Sequence, residues 1–400
     1  MAQRYDVIVV GLGAHGSAAL YNLAKWGSRV LGIERWEPGH GNASHHGETR
    51  ITRQCYAEGE EYVPMLRHSF DAYKALERET TQKLYFKTGV LNMGQPLVDG
   101  ARASALAHGL PHELLDSKQV AARFPGVRLP QGMPSLFEEE GGILRPEAMV
   151  AAHCSVARYH GATLRTDEQV LGWDADAGGG VRVHTDAGSY AGDKLILAAG
   201  AWMPKLVPEL EGFVQPRRVT VGWFRPRAPD LFSPAALPVW LLQPPGGGPP
   251  LYGFPEFGDA PGVKLGAFVG PGVADCDPDA AARGVWRGAE DEAPLRAALR
   301  QFFPEAEGEF LKGSACMFAA TPDGHFVVDL HPRHPQVVLV SACSGHGFKL
   351  SPAVGLAAAE LARHGASATF DAQLAIHRLG AARPGGAEVL RRFGACVDAI

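Results

Sequence analysis

Four hundred residues, 46% of them hydrophobic, provide for two to three domains and an ample core, which excludes a disordered or collagen-like chain. The formal net charge of −5 comes without a basic block or an acidic tail and points to no nucleic-acid partner, and no apolar run approaches the roughly 18 residues that span a bilayer. Cys55, Cys154, Cys276, Cys316, Cys343 and Cys396 are scattered without a CxxC pair, so reduced thiols are expected rather than a disulfide framework or a metal site.

The chain opens on Tyr5 to Val10 (YDVIVV), a short apolar β-branched run that reads as a buried strand. Only about five residues precede it, too few for a signal peptide, and a cytoplasmic location is the expectation. The run turns directly into Gly11-Leu12-Gly13-Ala14-His15-Gly16 and a helix-like SAALYNLAKW that Gly27 ends. Gly11 permits the tight turn, Gly13 lets the backbone approach a pyrophosphate, and Gly16 lets the helix pack closely on the sheet. Arg29 to Ile33 (RVLGI) reads as a second strand, and Glu34 closes it roughly twenty residues past the loop, placed for ribose hydroxyls. An acid there fits an unphosphorylated ribose, and Arg35 beside it belongs to the same candidate dinucleotide site.

Beyond that strand, Ser44 to Arg53 (SHHGETRITR) packs polar groups into what reads as a loop near the dinucleotide crevice. Val181 to Ala191, preceded by the turn-rich DADAGGG, reads as hairpins. Asp193 to Gly200 (DKLILAAG) and Gln336 to Ala342 (QVVLVSA) are buried-strand patterns that return to the first sheet. The former is followed by Gly200-Ala201-Trp202, the latter by the loop CSGHGFK and the helix-like SPAVGLAAAELARHG. Between them, from about Val214 to Phe318, strand-like pieces (LYGFPEF, VKLGAFVG) alternate with Pro- and Gly-rich loops, and PPGGGPP at 244–250 reads as a surface loop.

The expected fold class is therefore α/β, with an α+β second domain. A Rossmann-like dinucleotide-binding domain (1–88, 146–213 and 322–400) is interleaved with a mostly antiparallel-sheet substrate domain (89–145 and 214–321).

Taken together, GLGAHG, SHHGETRITR (44–53), EYVP (61–64), TGVL (88–91), LYGFP (251–255), VKLG (263–266), ACMFAATPDGHFVVDLHP (315–332) and SGHGFKL (344–350) resemble the monomeric sarcosine oxidase and N-methyltryptophan oxidase family over nearly the whole chain. The resemblance implies FAD as cofactor, attached covalently through Cys316; alone, that cysteine reads as a small buried apolar residue. It implies that His46 and Arg50 lie close to the flavin ring, and that Ser44, His45, Thr49, Gly200, Trp202, Gly345, Gly347 and Phe348 belong to the cofactor site. Arg53 and Lys349 match the pair that holds a substrate carboxylate, a task suited to a planar guanidinium beside a second cation. Lys264 matches a lysine that promotes oxygen reduction, and Tyr252 an active-site tyrosine. Where sarcosine oxidases carry a His and a Tyr, this chain has Phe268 and Phe318, which implies a more apolar pocket suited to larger or cyclic N-alkyl amino acids.

The reaction implied is oxidation of a secondary amine, sarcosine or another N-alkyl or cyclic amino acid, by a monomeric enzyme, with O2 reduced to H2O2. The N-terminal fingerprint alone equally allows a nicotinamide-linked dehydrogenase; a non-catalytic dinucleotide-binding protein is a rival that the presence of Arg53 and Lys349 disfavours. A flavin amine dehydrogenase with another electron acceptor is a further alternative.

Overall fold

The computed structural model describes residues 4–176, 178–259, 261–268 and 274–394. Cys396, the ends of the expected first domain (1–3 and 395–400), and Val269 and Gly270 of the VKLGAFVG segment lie outside the described residues.

The opening run forms the strand Arg4–Val10, parallel both to Val30–Ile33 and to Ser189–Leu197. Its near-continuous apolar character follows from burial on both faces. On one side Val9, Ile196 and Val338 pack under helices, and on the other Ile8, Leu195 and Leu339 meet a second apolar layer. The strand Ser189–Leu197 is shared. Its first half pairs antiparallel with Val181–Thr185, itself hairpinned to Val170–Ala175, and its second half pairs parallel with His334–Ser341. Register then places the site, because Val10 is level with Ile33 and with Leu197, and Leu197 is level with Leu339. The loops that follow these strands consequently leave the sheet along one edge, where ligands of open α/β sheets bind.

Helix Ala14–Lys25 packs between Ser351–His364 and Pro146–Tyr159. Small residues allow this crossing: a Cβ on Gly355 would lie 2.4 Å from the Cβ of Ala18. At the turn, Gly11 adopts φ +85°, and a Cβ there would meet the Ala198 carbonyl oxygen at 2.6 Å. Gly16 is constrained more tightly still, since its Cβ would stand 1.8 Å from the Gly11 carbonyl oxygen. Gly16→Ala is therefore expected to destabilise the protein by about 1–3 kcal/mol, the usual cost of overpacking against an element that must shift. A lowered urea midpoint at unchanged slope is the measurement that checks it.

The second large sheet is built around the long antiparallel pair Gln215–Phe224 and Phe310–Ala320, in which Val219 faces Cys316 and Arg217 faces Phe318. Val263–Ala267, Leu251–Phe254 and Val239–Leu242 follow antiparallel in turn. One parallel pairing, Val239–Leu242 with Val90–Met93, interrupts this pattern before Ser135–Glu138 and Glu113–Leu115 complete the sheet. Residues 244–250 form the turn of the Val239–Phe254 hairpin, with Pro245, Gly246 and Gly247 exposed.

The SHHGETRITR stretch departs from its expected form. Residues 44–49 are loop, but Arg50–Thr52 is a strand paired with Gly142–Leu144, whose other edge carries Tyr85–Lys87. Ile51 and Thr52 are buried there, and their β-branched side chains suit a pleated, covered surface.

Candidate active site

The loops at the sheet edge and one face of the second sheet enclose a cavity of about 350 Å³. At one end lie Gly11, Gly13, Glu34, Arg35, Gly200 and Trp202. The Glu34 carboxylate accepts hydrogen bonds from the backbone N–H of Leu12 (2.8 Å) and of Trp36 (3.2 Å), which ties the glycine turn to the end of the second strand. Arg35 and the Trp202 indole N–H both donate to Asp279 at 2.8 Å, so a residue from the second half of the chain closes this end.

Between the two ends stand His15 and His45. Burial pushes His15 down to about 4; burial, and after it the Arg50 charge, holds His45 well below its usual value. Both are neutral imidazoles, and among the described residues the Nε2 atom of each is buried without a hydrogen-bond partner. Buried polar atoms are normally satisfied. Two orphaned imidazole nitrogens, beside glycine backbone at a helix N-terminus, fit the polar bridge of a flavin dinucleotide.

At the far end, Cys316, Tyr252, Phe268, Phe318, Arg53 and Lys349 line the same space. Phe268 and Phe318 converge over Gly345, where a Cβ would lie 3.4 Å from one ring and 3.9 Å from the other. The Phe268 ring centre is 4.7 Å from that of Tyr252, so one wall is aromatic. Burial raises the Cys316 thiol, while the charges of Arg50 and then Lys264 act to lower it. Cys343 is a second thiol in the wall, which sequence reasoning did not single out.

Two cations face the aromatic wall. Arg53 is 1% exposed and gives one Nη to both oxygens of Glu58 at 2.6 Å, and the other to the Cys55 carbonyl at 3.2 Å. Burial would raise the Glu58 carboxyl, yet Arg53, helped by His346 and Lys349, holds it down at about 2. Lys349 sits on the short 3-10 turn Phe348–Leu350 and donates to the His346 carbonyl at 2.6 Å. Burial, and next the Arg53 charge, pushes its amine down to about 7.

The 44–50 loop is braced from behind. Arg50 donates to the carbonyls of Ser44 (2.8 Å), His46 (2.6 Å) and Thr49 (2.8 Å), and Glu147 accepts from the N–H groups of Gly47 and Glu48. Lys264 donates to the Gly47 carbonyl at 2.5 Å and to the Thr49 carbonyl and hydroxyl at 3.2 and 3.1 Å, while His46 Nε2 lies 3.1 Å from Ser314 Oγ.

The structure thus gathers most of the expected residues around one cavity. Ser44, His45, Arg50, Gly345, Gly347 and Phe348 are in its wall; Gly16, His46, Thr49 and Lys264 do not line it. Gly347 is a packing glycine, with a Cβ that would meet the Ala342 carbonyl oxygen at 1.8 Å. Sequence reasoning overlooked His15, Tyr56, Glu58 and His346. The local spacing of Arg53, Tyr56 and Glu58 was a usable signal, an acid within reach of a buried arginine.

A family described as FAD dependent oxidoreductases matches residues 6–361. Monomeric sarcosine oxidase of Bacillus sp. (strain NS-129) is 40% identical over 372 residues, covering 91% of this chain and 94% of the relative. N-methyl-L-tryptophan oxidase of Salmonella dublin is 34% identical over 377 residues, covering 92% and 97%. Among solved structures, NikD, an unusual amino acid oxidase essential for nikkomycin biosynthesis, is similar at a TM-score of 0.80 and 26% identity, covering 94% of this chain and 98% of its own.

Proposed function

The chain belongs to the FAD dependent oxidoreductase family, and from that premise we propose that it oxidises a secondary amine that also carries a carboxylate, with oxygen as the electron acceptor. It is an FAD-dependent amine oxidase. In the overall reaction the substrate's N–H and adjacent C–H become a C=N bond, and O2 takes up the two electrons and two protons as H2O2. Water then splits an open-chain imine into an aldehyde and an amino acid, while a cyclic imine survives. FAD, when bound, supplies the acceptor for the hydride equivalent.

The observation that carries this reading is that a single cavity runs from the Gly11–Glu34 cradle, past two orphaned imidazoles, to a thiol, an aromatic wall and two buried cations. In this reading the first sheet and its helices (1–88, 146–213 and 322–400) hold FAD, and the second unit (89–145 and 214–321) covers the substrate. Glu34 and Arg35 take the ribose end, His15 and His45 the phosphates, and the Arg50-braced loop the ring, with Cys316 as the residue that would hold it covalently. Arg53 and Lys349 grip the carboxylate, the substrate displacing Glu58 from part of the Arg53 fork. Charge-assisted bonds of this kind contribute about 1.5–3 kcal/mol each and orient the amine as well as hold it.

The Phe268, Phe318 and Tyr252 wall offers no ionic partner to a small polar amine, so apolar bulk on the substrate is favoured. In this reading the enzyme works as a monomer, in keeping with its likeness to monomeric sarcosine oxidase. No described helix is long and apolar enough to cross a membrane.

Peroxide release is the test. Bulkier N-methyl amino acids or L-proline are expected to exceed sarcosine in kcat/KM; a clear preference for sarcosine overturns the substrate class, and a protein without flavin overturns the whole reading.

Lys349 also sets a pH dependence. With its amine at about 7, the free enzyme carries both cations below that pH and only Arg53 above it. Carboxylate binding favours the ammonium, so the dissociation constant of a simple carboxylate inhibitor should rise by up to about tenfold per pH unit above neutrality. Lys349→Met is expected to bind weakly throughout and to flatten the profile, as followed by the flavin absorbance change on titration.

A further inference from the structure

Both cations of the proposed clamp rest on one aromatic ring. Tyr56, fully buried, has the Arg53 guanidinium carbon 4.4 Å from its ring centre and the Lys349 Nζ 5.2 Å from it. Two like charges drawn into one low-dielectric pocket repel each other, and the negative face of a ring shared between them offsets part of that repulsion. The ring also lies between residues far apart in sequence, so its placement fixes the separation of the two donors.

The ring is held in turn. Tyr56 Oη lies 2.6 Å from His346 Nδ1, and His346 Nε2 lies 3.0 Å from the Gly324 carbonyl oxygen. A carbonyl only accepts, so Nε2 carries the imidazole proton. Burial pushes His346 down to about 4 and leaves it neutral, so Nδ1 is the acceptor and the Tyr56 hydroxyl donates to it. This assignment of the tautomer follows from the network. With its proton committed to His346, Tyr56 Oη has only lone pairs left for Lys349 Nζ, 3.5 Å away. The His346 carbonyl, 2.6 Å from the same Nζ, takes a second N–H. One loop residue thus anchors both the ammonium and the phenol beneath it.

We propose that Tyr56, locked by His346, is a positioning residue that spaces Arg53 and Lys349 to receive a substrate carboxylate. It touches neither the reacting bond nor the flavin site and acts through the two cations. The inference rests on the amino-acid oxidase reading above and adds to it the element that shapes the clamp.

The test compares Tyr56→Leu, which removes the π face, Tyr56→Phe, which keeps the face and removes the hydroxyl, and His346→Gln in the flavin-loaded protein. The first readout is binding of acetate and of a larger aliphatic carboxylate, measured by the flavin absorbance change. The second is kcat and KM for an N-methyl amino acid and for N-methylbenzylamine, a secondary amine without a carboxylate. Tyr56→Leu is expected to weaken carboxylate binding roughly tenfold or more, and to lower the preference for the acid over the amine by a similar factor, with KM rather than kcat carrying the change. Tyr56→Phe and His346→Gln should fall between it and the parent.

Parent-like carboxylate affinity in Tyr56→Leu overturns the proposal, as does an equal loss on the acid and the amine, which marks a general packing role. If Tyr56→Leu does not fold, Tyr56→Phe and His346→Gln decide: parent-like affinity in both overturns it. The broader reading fails separately. A parent that holds flavin and binds carboxylates yet releases no peroxide from any amine refutes the oxidase assignment, while the affinity series still scores Tyr56.

Discussion

Cys316→Ala is expected to yield a protein whose yellow colour washes out on acid precipitation, whereas the colour of the parent is expected to stay in the pellet. Cys316 lies on the Phe310–Ala320 strand opposite Val219, with its side chain in the cavity wall, and its place is set by a register of ten residue pairs. The thiolate is the reactive form of cysteine. Burial works against that form here, but Arg50 and Lys264 supply positive charge on the same side and favour it. Removing one sulfur leaves a small void, so the variant folds and the comparison is of attachment alone. Cys343 provides the internal control, because it lines the same cavity. Cys343→Ala should keep its colour in the pellet. Colour retained in Cys316→Ala and lost in Cys343→Ala would move the attachment to the second thiol, and colour lost from the parent would make the flavin dissociable.

Lys264→Met should separate the two halves of the catalytic cycle. Anaerobic reduction by substrate is expected to stay within a few-fold of the parent, while reoxidation by oxygen slows by about 10²–10³, the usual loss when one preorganised electrostatic partner is removed. The geometry argues for this split. Lys264 stands behind the 44–50 loop, bonded to Gly47 and Thr49 and resting 4.8 Å over the Phe254 ring, whereas Arg53 and Lys349 face the cavity directly. Burial, and after it the Arg50 charge, pushes its ammonium well below the usual lysine value. Negative charge developing on a nearby oxygen would favour the protonated form, so the residue is expected to respond to the oxygen step more than to the amine step. Losing the ammonium also removes a charge-assisted donor from the Gly47 and Thr49 oxygens, at about 1–3 kcal/mol of stability, visible as a lowered melting temperature. Stopped-flow traces showing equal slowing of both half-reactions would instead assign Lys264 to holding the loop.

Much of this was legible from local pattern. A β-branched run ending in Gly11-x-Gly13-x-x-Gly16 states a buried strand, a tight turn and a helix in one line, because backbone freedom, close approach and burial on two faces are each properties of single residues and their immediate neighbours. The same holds for Glu34 at the end of the second strand and for QVVLVSA before its glycine loop. The alternation of strand-like pieces with Pro- and Gly-rich loops also predicted that the second sheet would be largely antiparallel. It did not reveal the parallel pairing of Val239–Leu242 with Val90–Met93, nor the sharing of Ser189–Leu197 between two partners, since strand partners are chosen by packing and not by propensity.

Side-chain pairing across the chain was out of reach for the same reason. Lys264 finds Gly47 across 217 positions and Tyr56 finds His346 across 290, and nothing in either local sequence encodes the meeting. Whether Lys264 enters the cavity or stands behind its wall depends on how the Val263–Ala267 strand registers against Gln215–Phe224 and on where the Arg50 loop folds back. The sequence by itself determined the dinucleotide cradle, the strands that return to the first sheet, and the residue types available to the site. The tertiary structure alone decided which of them meet, because an element forms from short-range backbone and burial energetics, whereas a constellation exists only once strand register and helix packing have set distances between residues hundreds of positions apart.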